Sequence, residues 1–232
     1  MTAIDKLATD EIAQPITRQR LVLIDDHAVM RLGLAQLIND QPDLQVCGEA
    51  ANANEATALI ARLNPDLIIV DITLTQGTDG IDLIKMVRNS TPDLPILVLS
   101  MHDETIYAER VLRAGAKGYI TKQEAPESIL AAIRKVLGGE IYLSDRIASR
   151  MLNIATGNRK NNHQTSLDRL SDRELQVFRL IAEGLSVRQI AEKLELSVKT
   201  IETHREHIKE KLNLESSTQL LRYAVQYGMN NS

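Results

Sequence analysis

Five side chains that could do chemistry stand where short apolar runs end. LVLID (21–25) leads into Asp25 and Asp26, LIIVD (67–71) into Asp71, ILVLS (96–100) into Ser100, and GYITK (118–122) into Lys122. A single Asp in such a place usually makes a turn. Three carboxylates, a hydroxyl and an ammonium around one crevice are harder to assign to turns. Packed carboxylates repel, and their pKa values rise unless a cation compensates. Oxygen-only ligands with room for waters suit Mg²⁺. Such a cation can hold a phosphoryl donor in line with one carboxylate, while the ammonium and hydroxyl receive the developing charge. The chemistry implied is phosphoryl transfer to Asp71, forming an acyl phosphate.

That convergence requires the runs to be parallel strands of one sheet. They are short and rich in Val, Ile and Leu, as is LQVCGEA (44–50), and segments with helical spacing follow them. Ile81, Ile84 and Val87 follow Gly80; Ile129, Ile133 and Val136 follow Pro126. Continuous apolar runs suit strands buried on both faces, with helices as right-handed crossovers. The expectation is an α/β doubly wound (βα)5 domain over residues 19–143, with its strand ends open on one edge. Composition agrees: of 232 residues 44% are hydrophobic, 25% charged and 3% aromatic, which describes a globular chain with aliphatic cores. The one cysteine, Cys47, excludes an internal disulfide and fits a reducing compartment; it reads as a buried structural thiol. No run is long enough for a signal peptide or membrane span, so the chain reads as cytoplasmic, with residues 1–18 a flexible tail.

Residues 144–166 read as a linker, partly helical through Ile147, Met151 and Ile154 and flexible in GNRKNNHQTS. Residues 167–232 have helical periodicity and no strand pattern. SDRE (171–174) is a capping box, and the helix it starts, with Leu175, Phe178 and Ile181, stops at Gly184. Ser186 and Ser197 start two more helices joined by a tight connection, the pattern of a helix-turn-helix. On a wheel of the third helix, Ile201, Ile208 and Leu212 share one face, with His204 at its edge. Lys199, Glu202, Thr203, Glu206 and Glu210 lie opposite. Arg205 and Lys209 flank that face on one side; Thr200, His207 and Lys211 flank it on the other. Such a face suits phosphate contacts at its edges and base contacts at its centre. A solvated face laced by Glu202–Arg205 and Glu206–Lys209 pairs fits as well. The net charge of −4 does not decide between them.

Through LIDDH, LIIVDITL, VLSM and GAKGYITK, residues 20–137 resemble the receiver domain of two-component response regulators. LSDRELQVFRLIAEGLSVRQIAEKLELSVKTIETHREHIKEKLNL resembles the LuxR-type DNA-binding module, a four-helix helix-turn-helix domain. The whole chain is similar to NarL/FixJ-family regulators. By that resemblance Asp71 is the phosphoacceptor, and Asp25, Asp26, Asp71 and the Thr73 carbonyl hold Mg²⁺. Ser100 and Lys122 contact the phosphoryl group. Tyr119 is the switch aromatic, although a core tyrosine explains it equally. The resemblance further implies a sensor histidine kinase as donor, double-stranded DNA as target and a homodimer when phosphorylated. The third helix enters the major groove, with contacts among Lys199, Thr200, Glu202, Thr203, Arg205, Glu206, His207, Lys209 and Lys211. A fourth, at 217–227, dimerises, with Leu220, Leu221, Ala224 and Val225 as core or dimer contacts. The linker lets the receiver dock over the helical module and cover its third helix.

Two departures stand out. Thr75 replaces the proline usual after the acceptor, and Gly80 comes nine positions after Asp71 rather than eight, lengthening that loop. Gln123 replaces the proline usual after the lysine. His27 and His102 lie near the crevice and read as loop or surface residues. A competing output is a helical module that contacts protein, which the Glu-rich face supports. A phosphatase with an aspartyl-phosphate intermediate would need a second Asp where Thr73 stands, so a turnover enzyme is not expected.

Overall fold

A computed structural model describes residues 17–74, 78–156 and 166–230, so the tail expected over 1–18 falls almost wholly outside the described residues. Strands β1 (Gln19–Ile24), β2 (Leu44–Ala50), β3 (Leu67–Val70), β4 (Ile96–Ser100) and β5 (Gly118–Thr121) alternate with helices. These are α1 (Ala28–Asn39), α2 (Ala53–Leu63), α3 (Gly80–Ser90), α4 (Glu104–Ala114) and α5 (Pro126–Leu137). The strands pair in parallel in the order β2-β1-β3-β4-β5. The order reverses beside β1, and the strand ends there flank a crevice.

β1, β3, β4 and β5 are covered on both faces, which is why their runs are continuous rather than alternating, whereas the edge strand β2 is buried only at Leu44 and Ala50. Leu21, Leu23, Leu67, Ile69, Leu97 and Leu99 pack under α1 and α5 against Ile38, Ile133 and Val136. Val22, Ile24, Ile68, Val70 and Val98 pack under α2, α3 and α4 against Ala56, Ile84 and Val111. Each such Leu or Ile contributes about 1.5–3 kcal/mol on burial. Cys47 is half-buried rather than fully enclosed, and burial raises its thiol pKa.

The start of α3 is built against the acceptor strand. Asp79 caps it, its Oδ1 accepting from the Ile81 and Asp82 amides at 2.8 and 3.1 Å. A Cβ on Gly80 would meet the Asp71 carbonyl oxygen at 2.3 Å, so only glycine fits there. Residues 75–77, in the lengthened loop, lie outside the described residues.

Helix α6 (Asp145–Ala155) confirms the helical first half of the linker and packs on α4, with Ile147 buried. The Ile154 side chain and residues 157–165, most of GNRKNNHQTS, lie outside the described residues. A 3-10 turn (Ser166–Arg169) leads into α7 (Asp172–Ala182), α8 (Val187–Lys193), α9 (Val198–Leu212) and α10 (Ser217–Asn230). Both halves of the Ser171/Glu174 capping box form, and Ser186 with Gln189 makes a second one. Ser197 caps α9 through the Thr200 amide. Leu175, Phe178, Ile190, Ile201, Ile208 and Leu220 are the core. Among the described residues no helix is long and apolar enough to cross a membrane.

Candidate acceptor site and helical face

β1, β3, β4 and β5 deliver Asp25, Asp71, Ser100 and Lys122 to one edge of the sheet. Lys122 Nζ donates to Asp25 Oδ2 at 2.5 Å and to Asp71 Oδ2 at 2.8 Å, and its side chain is 2% exposed. Burial raises the Asp71 pKa, against the opposing pull of the Lys122 ammonium. Burial also disfavours the Lys122 charge, but Asp71 and Asp25 outweigh it and hold the lysine pKa above its ordinary value. Asp71 is therefore a buried carboxyl whose charged form burial disfavours and one buried cation, Lys122, favours. Its Oδ1 accepts from the Thr73 amide at 3.1 Å. Asp25, Asp26, His27 and Asp71 each offer a ligand atom, all within 4.8 Å of one another. His27 Nδ1 approaches Asp26 Oδ1 to 2.8 Å without hydrogen-bond alignment, leaving Asp26 Oδ1 a buried oxygen with no donor. An oxygen in that condition fits a divalent cation.

Tyr119 is buried, and its hydroxyl donates to the His102 carbonyl at 2.7 Å, so packing and hydrogen bonding both hold it. His102 stands in the loop after β4, as expected, and is half-buried there. Its Nε2 lies 2.7 Å from Thr73 Oγ1, and its pKa falls to about 4 through burial and then the charges of Arg179 and Lys122.

On α9, Ile201 and Ile208 are buried, while Lys199, Glu202, Thr203, Glu206, His207 and Glu210 are exposed. Thr200, Arg205 and Lys209 are half-buried. Glu206 pairs with Lys209 at 2.7 Å. Lys211 donates to Glu174 of α7 at 2.6 Å, and His207 Nδ1 stands 3.7 Å from the same carboxylate. Glu174 is buried, so Lys211 serves the module's interior, a placement the wheel does not reveal. His204 Nδ1 is buried without a hydrogen-bond partner. Leu220 and Ala224 of α10 are core; Leu221 and Val225 face outward at 46% and 37% exposure.

Residues 21–134 match the model of the response regulator receiver domain, and residues 168–224 that of bacterial regulatory proteins of the luxR family. The oxygen regulatory protein NreC of Staphylococcus carnosus is 39% identical over 209 residues, spanning 89% of this chain and 96% of NreC. The chain is a NarL/FixJ-family response regulator. It is thus a two-component transcription regulator with a LuxR-type DNA-binding domain. Among solved structures it is similar to RcsB of Salmonella enterica serovar Typhimurium bound to promoter rprA with phosphomimetic BeF3⁻. The TM-score is 0.65 at 29% identity, covering 90% of this chain and 98% of that one. A further structure of RcsB from Salmonella typhimurium gives a TM-score of 0.70 at 28% identity, covering 90% and 98% of the two chains.

The regulator's two parts meet through residues that the sequence did not single out. Arg110 of α4 pairs with Asp172 at 2.9 Å and donates to the Leu167 and Leu170 carbonyls at 3.0 and 2.7 Å. Lys85 of α3 reaches the other Asp172 oxygen at 2.8 Å. Burial raises the Asp172 pKa, yet the two cations outweigh it and leave a net lowering. Arg150 of α6 bridges the Thr105 carbonyl and Asp168. A cavity of about 460 Å³ lies between α4, α7 and α10, lined in part by Tyr107, Phe178, Arg179, Val225 and Tyr227. The receiver thus docks on α7 and the turn before it, and the end of α10 lines the cavity beside that contact. The expected covering of α9 is corrected, because its outward residues remain exposed.

Proposed function

We propose that Asp71 is the phosphoacceptor and that a sensor histidine kinase supplies the phosphoryl group. The observation that carries this reading is the buried triad in which Lys122 bridges Asp25 and Asp71. The Asp71 carboxylate attacks phosphorus, the donor's leaving group departs with the P–O or P–N electron pair, and Lys122 stays beside the new acyl phosphate. Asp25, Asp26, Asp71 and the Thr73 carbonyl would hold Mg²⁺, which would screen the charge of donor and carboxylate. Ser100 contacts the phosphoryl group, and Tyr119 follows its movement.

The divisions at 18/19, 143/144 and 166/167 separate a tail, the receiver, a linker and the DNA-binding domain. The protein acts in the cytoplasm as a phosphorylated homodimer on double-stranded DNA and is not a turnover enzyme. Lys199, Thr200, Arg205 and Lys209 meet phosphates; Glu202, Thr203, Glu206 and His207 face base edges, while Lys211, expected among them, is held by Glu174. Because the receiver holds α7 and leaves the outward face of α9 exposed, phosphorylation acts by loosening that hold and promoting dimerisation.

The test is a binding-site selection and salt titration on full-length protein, with and without acetyl phosphate and Mg²⁺. This reading gives a selected motif, tighter binding after phosphorylation, and a steep loss of affinity with salt. A flat salt response with no motif would favour the protein-contact output that the Glu-rich face of α9 permits.

A further inference from the structure

Four groups converge on His102. Its amide donates to Ser100 Oγ at 3.2 Å, and its carbonyl accepts from the Tyr119 hydroxyl at 2.7 Å. Ring atom Nε2 lies 2.7 Å from Thr73 Oγ1 and 3.4 Å from a guanidinium nitrogen of Arg179. A guanidinium only donates, so Nε2 carries its lone pair and the Thr73 hydroxyl also donates to it. The ring rests on Tyr107, with centroids 5.2 Å apart. Thr73 reaches Asp71 through its amide. One residue therefore touches Ser100, Tyr119 and Thr73 on the receiver side and α7 on the other. The contacts of Arg110 and Lys85 with Asp172 also hold the two parts together, but from outside the acceptor site.

We propose that His102 is a positioning residue that couples the state of Asp71 to the docking of α7. A phosphoryl group on Asp71 draws Ser100 Oγ and the Thr73 backbone toward itself. The bonds that orient His102 are then lost, and its contact with Arg179, the longest of the four, goes with them. Helix α7 separates from α4, uncovering the end of α10. This coupling rests on the phosphoacceptor reading above and adds the route by which that site is read.

The experiment uses the full-length protein, acetyl phosphate and Mg²⁺. Intact mass reads phosphoryl occupancy, and hydrogen exchange of α4 and α7 amides reads docking. In the wild type, phosphorylation raises exchange in both helices by at least about fivefold. Arg179→Gln, remote from the acceptor, takes up phosphoryl as the wild type does. It exchanges fast beforehand and gains less than about twofold afterwards. His102→Ala is uncoupled in the same way. His102→Gln, whose amide oxygen accepts from both donors, restores the response. A Gln variant as uncoupled as the Ala variant would mean that packing alone is at work, and would overturn the proposal. So would a full wild-type response in Arg179→Gln, which also decides the matter if His102→Ala does not fold. In either case the acceptor assignment survives. A wild type that takes no phosphoryl group on Asp71 would bring down both readings together.

Discussion

The acceptor edge and the outer face of α9 carry similar residue types under opposite conditions. The Lys122 and Asp71 side chains are 2% and 3% exposed and bond to each other, whereas the Glu206 side chain is 62% exposed. Buried charges must be satisfied by the chain itself, so their arrangement is dictated by the fold. Exposed charges face no such demand, so the fold leaves their arrangement open.

Removing the cation from the buried edge should produce the largest effect. Lys122→Met leaves Asp25 and Asp71 facing each other and should cost about 3–5 kcal/mol in denaturant melts without divalent cation. Millimolar Mg²⁺ should recover part of that loss, because a bound cation replaces the missing charge. An unfolding midpoint that Mg²⁺ does not move would break the parallel between lysine and metal.

Asp79 sharpens the contrast, because it is buried without a bonded ammonium, and burial lifts its carboxyl to about 6. The unfolded carboxyl titrates near 3.8, so the folded state binds this proton more tightly. The stabilising contribution is complete below that lower value and is lost as pH rises through about 6. Asn keeps the cap acceptor without the charge. Asp79→Asn should stabilise the fold by about 1–3 kcal/mol at pH 8 and hardly at pH 4. Equal gains at both pH values would contradict the assignment.

On α9 the effects should be smaller and should separate by type. Glu206→Ala should leave affinity unchanged or raised while relaxing base preference at one position of each half-site, worth about 1–3 kcal/mol. Arg205→Ala should weaken all sites and flatten the salt slope by about one unit. Lys211→Ala should keep the slope but lower the helical module's stability by about 1 kcal/mol, a figure reduced by solvent screening of a partly exposed ammonium. A wild-type motif retained by Glu206→Ala would place base reading elsewhere.

The same contrast explains what was legible in the sequence. LIIVD reads as a strand buried on both faces that ends on a charge, and the structure places Asp71 just past β3. Ser171 and Glu174 announce a helix start because both capping partners are local. The docking surface is different. Arg110 and Asp172 are 62 positions apart, and an arginine on an amphipathic helix looks the same whether it faces water or another domain. His102 reads as no more than a loop or surface residue because its partners, Thr73 and Arg179, come from distant segments. Linker length permits docking but does not choose a face, so it leaves open which helix of the module the receiver meets.

Whether the buried edge makes Asp71 the phosphoacceptor is decided by intact-mass measurement with peptide mapping after incubation with acetyl phosphate and Mg²⁺. One phosphoryl group per chain is predicted, on the peptide containing Asp71, reduced without Mg²⁺ and slowed in Asp26→Ala. A label that persists unchanged in Asp71→Asn would contradict it.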